Sequence, residues 1–124
     1  MSSSVLVIPA TAQNVRVARL VAAAAAQRAG MTVEDVDDVR LAVGEAVARA
    51  VIRSRAVSGA AVTIRLSEDS GRFGVEVQDP APAQDDAPDQ AEGFAIAVIA
   101  GLAPDMQVES TADGGSSLRI SWTV

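Results

Sequence analysis

Apolar residues along this chain change their spacing several times, and each change marks an element. In the run TVEDVDDVRLAVGEAVARAVIRSR, residues 32–55, Val36, Val39, Val43, Val47 and Ala50 recur at helical spacing. That spacing predicts an amphipathic helix with one stripe turned to a core. Asp38, Leu41, Glu45, Ala48, Arg49 and Ile52 run along another side of it. Thr32 is placed to cap its start, and Glu34, Asp35, Asp37 and Asp38 crowd the first turns, where the helix dipole favours anions. Arg49, Arg53 and Arg55 gather at the far end, where the dipole favours cations.

The same reading orders the rest of the chain. Ser4–Pro9 holds the apolar run VLVI and stops at a proline, which predicts an edge strand. Thr11–Ala29 reads as a helix with Thr11 as its cap and Gly30 as its stop. Its middle, LVAAAAAQ, has high helix propensity and small side chains that let neighbours come close. Arg16 and Arg19 share a face near its start. Residues 60–67 alternate with Val62, Ile64 and Leu66 on one side, and residues 73–78 alternate with Phe73, Val75 and Val77. The turn residues EDSG between them predict a hairpin with a loop of roughly four or five residues.

Residues 79–93 lose all apolar periodicity, are rich in proline and acid, and read as a loop. Gly93–Leu102 reads as a short helix closed by Pro104. Met106–Ser110 and Ser117–Val124 read as strands about the turn Asp113-Gly114-Gly115, with Leu118, Ile120, Trp122 and Val124 on one face. The order strand, helix, helix, strand, strand, loop, helix, strand, strand predicts an α+β fold. It is a two-layer sandwich: a mostly antiparallel sheet of about five strands with three helices on one face.

Composition narrows the chemistry. The chain has 124 residues, which predicts one domain over 1–124. It has no Cys and no His, so thiolate sites, zinc sites and imidazole catalysis are excluded. The net charge is −6 and all ten cations are arginine, which argues against nucleic acid as a partner, since phosphate binding needs a basic face. There is no apolar run of about 18 residues and no lipidation or secretion signal, so no membrane association and a cytoplasmic location are expected. Arginine and alanine usage without lysine suggests a GC-rich bacterial genome.

The stretch LAVGEAVARAV at 41–51 resembles the N-box helix of GHKL-type, histidine-kinase-like ATPase domains. The resemblance is to the small RsbW and SpoIIAB group of anti-sigma factors and serine kinases, and it extends over about residues 3–124. In that group the helix Glu serves as general base, and an Asn four residues on holds the magnesium that bridges the nucleotide phosphates. Glu45 matches the Glu, so the resemblance gives it the catalytic place. Arg49 stands in the Asn position and Arg53 in that of a common His. An arginine has donors and no lone pair, so it cannot ligate magnesium. Taken from the helix alone, Glu45 and Arg49 form an ordinary ion pair one turn apart.

Further along, the resemblance places Asp79 where a D-x-G-x-G box begins, whose Asp hydrogen-bonds the adenine amino group. The glycines are missing, with Pro80, Ala81, Pro82 and Ala83 in their stead. Gly93 matches the first glycine of a phosphate-binding turn, Ala95 replaces the second, and Gly114-Gly115-Ser116 is similar to the GG-T before the family's last strand. Arg49, Asp79 and Gly93 are thus what is left of a nucleotide site. Asp85, Asp86, Asp89 and Glu92 put negative charge where a triphosphate would lie. No cofactor is therefore expected, and ATP with magnesium is disfavoured. An exposed Arg early in the first helix docks sigma factors and anti-anti-sigma factors in this group. Arg19, after Ala18, matches its context, and Arg16 is the second candidate.

What the resemblance implies is an anti-sigma factor that sequesters an RNA polymerase sigma factor and is released by an anti-anti-sigma (STAS-type) protein. The alternatives are an active serine/threonine kinase acting on that protein, and a non-catalytic decoy that binds the anti-anti-sigma protein alone. Members of the group often form dimers, so a homodimer is compatible.

Overall fold

The computed structural model describes residues 2–82 and 90–124. The elements follow in the order β1 (Ser2–Pro9), α1 (Asn14–Arg28), α2 (Val33–Arg53), β2 (Ala61–Asp69), β3 (Arg72–Asp79), α3 (Gln90–Leu102), β4 (Asp105–Ser110) and β5 (Ser116–Thr123), with a 3-10 turn at Ser54–Ala56 after α2. The strands form one five-stranded sheet in the order β1-β2-β3-β5-β4, antiparallel at every pairing. This is the expected α+β architecture, with β1 at an edge.

Alternation sets the inner face of the sheet. Val62, Ile64 and Leu66 of β2, Phe73, Val75 and Val77 of β3, and Leu118, Ile120 and Trp122 of β5 are all buried. Arg65 and Arg119, one step out of phase, are exposed on the other face, where both reach Glu76 across the strands. The buried side of the helices is built largely from small and β-branched side chains. Ala18, Ala22, Ala23 and Ala26 of α1 are buried, as are Val36, Val39, Val43 and Val47 of α2. Each buried branched aliphatic residue contributes about 1.5–3 kcal/mol, so stability here is spread over many small contacts. Trp122 adds a polar tie: its indole N–H donates to the Leu102 carbonyl at 3.1 Å, joining β5 to the end of α3.

Local signals account for most boundaries. Thr32 caps α2, its hydroxyl accepting from the Asp35 N–H at 3.1 Å. α1 ends at Gly30, whose φ of +86° suits the left-handed position, with Gly30 N–H donating to Gln27 O and Met31 N–H to Ala26 O. Two of the boundaries that differ from expectation have a local cause. Thr11 does not cap α1, because its hydroxyl is taken by the Asn14 side chain at 2.9 Å and the helix starts later, at Asn14. The β2–β3 hairpin has a two-residue turn, Ser70-Gly71, with φ of +52° and +78°, so the strands stay paired out to Asp69 and Arg72. No helix among the described residues is long and apolar enough to cross a membrane.

Candidate functional site

Asp79 is the last residue of β3, on the inward face, and is 5% exposed. Its Oδ1 accepts the Ala81 N–H at 3.0 Å, which folds the chain back over the strand end. Its Oδ2 accepts from Arg53 Nε at 3.2 Å. Arg53 comes from the last turn of α2 and spends all of its nitrogens here. Nη2 donates to the carbonyls of Ala81 and Pro82 at 3.1 and 3.0 Å, and Nη1 donates to Glu92 Oε1 at 3.4 Å. One turn earlier, Arg49 donates from Nε to the same Glu92 oxygen at 3.0 Å, with Nη2 at 2.8 Å.

The result is a closed cluster of two guanidiniums and two carboxylates. Its side chains are nearly dry, at 6% for Arg49, 7% for Arg53, 1% for Asp79 and 14% for Glu92. Charges removed from water this far need complete pairing, and here each finds its opposite. Burial raises the Asp79 carboxyl above the ordinary aspartate range, and Arg53, the Ala81 N–H and Arg49 offset only part of that rise. Mechanically, the cluster ties the end of α2, the end of β3, the 81–82 segment and the first turn of α3 together.

Several sequence expectations change at this point. Glu45 and Arg49 do not pair: Arg49 turns to Glu92, and Glu45 has no salt bridge among the described residues. Glu92 does not face the site as uncompensated charge, because it is held by both Arg49 and Arg53. Gly93 lies inside α3, which begins at Gln90, and not in a turn ahead of it. Asp85, Asp86 and Asp89 lie outside the described residues. Asp79 and Arg49 do come together, at opposite ends of the cluster.

Arg16 and Arg19 lie elsewhere, in the first turns of α1. Both are exposed, and among the described residues neither has a carboxylate within ion-pair distance. Two members of the cluster were missed as site residues in the sequence, Arg53 and Glu92. The available signal was the second arginine one turn after Arg49, on the same face of the helix.

The sequence profile of the family described as "Histidine kinase-like ATPase domain" matches residues 8–122. Among solved structures, the chain is similar to the RsbU and RsbW domains of Rv1364c from Mycobacterium tuberculosis, with a TM-score of 0.76 and 16% sequence identity over 99% of this chain. It spans 32% of the length of that protein chain. No curated protein sequence matches it.

Proposed function

The chain belongs to the histidine kinase-like ATPase domain family, and from that premise we propose that it is a partner-switching regulator. It sequesters an RNA polymerase sigma factor, is released by a STAS-type anti-anti-sigma protein, and does so in the cytoplasm without drawing on ATP. The observation that carries this reading is a contrast in one helical layer: Arg49 and Arg53 are consumed by internal carboxylates, whereas Arg16 and Arg19 stand exposed and unpaired among the described residues.

ATP with magnesium, which the family implies, does not fit the residues present. Arg49 offers only donors where a metal needs a lone pair. Both carboxylate oxygens of Asp79 are engaged, one by Arg53 and one by a backbone N–H, so the group that would read adenine is taken. Glu92 occupies the guanidinium donors of Arg49 and Arg53 that a phosphate would otherwise draw on. No catalytic step is therefore assigned to Glu45, and this donor set favours the regulator over the kinase alternative.

The test is capture of partners from an extract of the cells that make this protein, using the immobilised chain, with bound proteins identified by mass spectrometry. Recovery of a sigma factor supports the proposal. Recovery of a STAS-type protein without any sigma factor overturns it in favour of a decoy.

A further inference from the structure

Gly44 sits in the middle of α2, where glycine is destabilising relative to alanine. Its φ is not positive, so the backbone there accepts any residue. Something other than conformation must explain it, and the space around it supplies the reason. A Cβ on residue 44 would overlap Arg19 Nε and come within 3.1 Å of Arg19 Cζ and Nη2. Gly93 and Gly101, the two glycines of α3, have nothing within 4 Å of the same position. Gly44 is thus a notch in α2, and the guanidinium end of Arg19 lies in it.

The notch separates two arginines that look equivalent in sequence. Arg16 and Arg19 share a face of α1 and are both exposed, yet Arg19 is the one whose head group meets Gly44. A guanidinium that stays seated against a helix has fewer rotamers left to lose when a partner arrives. Arg19 still has no carboxylate of its own within ion-pair distance among the described residues. Seated in the notch with no carboxylate of its own, this fork of donors can grip a carboxylate bidentately.

We infer that Gly44 is a positioning residue for Arg19, holding its guanidinium in the pose that receives an acidic side chain of the partner, a role that rests on the sigma-factor reading above. The group displaced by a larger residue at 44 is the far end of a flexible side chain. Substitution there therefore moves Arg19 and leaves the fold intact.

The experiment is a double-mutant cycle with Gly44→Ala and Arg19→Ala, read as affinity for the sigma factor captured on the wild-type chain. Gly44→Ala is expected to weaken binding roughly three- to tenfold, the cost of re-ordering one long side chain. Its melting temperature should be unchanged or higher. In the Arg19→Ala background the same substitution should change affinity by less than about twofold, because the two residues act as one unit. An equal loss in both backgrounds means that the new methyl meets the partner directly and overturns the inference. A second readout uses the free chain: the Arg19 Nε–Hε NMR signal should be rigid in the wild type and mobile in Gly44→Ala. A mobile signal in the wild type overturns the inference without touching the proposed function. A wild-type chain that captures no sigma factor overturns the proposed function, and the NMR signal still tests the pose.

Discussion

Four arginines of the helical layer divide into two pairs with opposite surroundings. Arg49 and Arg53 lie near one end of α2, dry and saturated by Asp79, Glu92 and two carbonyls. Arg16 and Arg19 lie near the start of α1, wet and without a carboxylate partner among the described residues. The same side chain serves as an internal cross-link in one place and stands exposed in the other, where the proposed function makes it a receptor. Burial decides which. A guanidinium out of water must be fully satisfied from within, whereas an exposed one keeps its donors for another molecule.

The largest expected effect comes from breaking the buried pair. Arg53→Met should lower stability by about 3–5 kcal/mol in urea unfolding, because it leaves the Asp79 carboxylate buried without its cation. Arg53→Met combined with Asp79→Leu should recover much of that loss, since removing both charges is far cheaper than stranding one. If the single variant unfolds at the wild-type midpoint, the cluster is not a clamp. Arg49→Asn should cost less, about 1.5–3 kcal/mol, because Glu92 retains Arg53. It restores an Asn at the family's position but should not restore magnesium-dependent nucleotide binding, since Asp79 remains engaged.

A pH effect sharpens the same contrast. Burial raises the Asp79 pKa above the ordinary value of 3.8. A raised folded value means the acid form is favoured in the folded state. The contribution is therefore fully present below 3.8 and is lost as pH rises through the folded value. The melting temperature of the wild type minus that of Asp79→Asn should accordingly fall as pH rises across that window. A difference that rises instead would mean the Arg53 attraction outweighs burial.

The smallest effect on stability belongs to the exposed pair. Arg19→Glu should shift unfolding by no more than about 0.5 kcal/mol, yet abolish binding of the captured sigma factor. Wild-type affinity in that variant would move the interface away from α1.

Helices and strand faces were legible because period and burial coincide. Val36, Val39, Val43 and Val47 repeat as a helix and are buried; Val62, Ile64 and Leu66 alternate as a strand and are buried. Errors at boundaries came from side chains acting on neighbours, as Asn14 does on Thr11 and as Ser70 does by taking a left-handed turn position. The cluster was harder to read because its bonds are long-range. Arg49 and Glu92 are 43 residues apart, and Arg53 and Asp79 are 26 apart. The local pattern pointed Arg49 at Glu45, and no spacing rule joins it to a carboxylate across a proline-rich segment. Asp79 was found through its place at the strand end, which the family resemblance made meaningful. The notch at Gly44 could not be read at all, since it depends on how closely α1 lies on α2.

The most direct test of the account is a calorimetric titration of the purified chain with ATP, with and without magnesium. Closed by Arg49, Arg53, Asp79 and Glu92, the site should give no saturable heat in either condition. A low-micromolar, magnesium-dependent site would contradict the account, because it would require the cluster to open and Arg49 to vacate the metal's place.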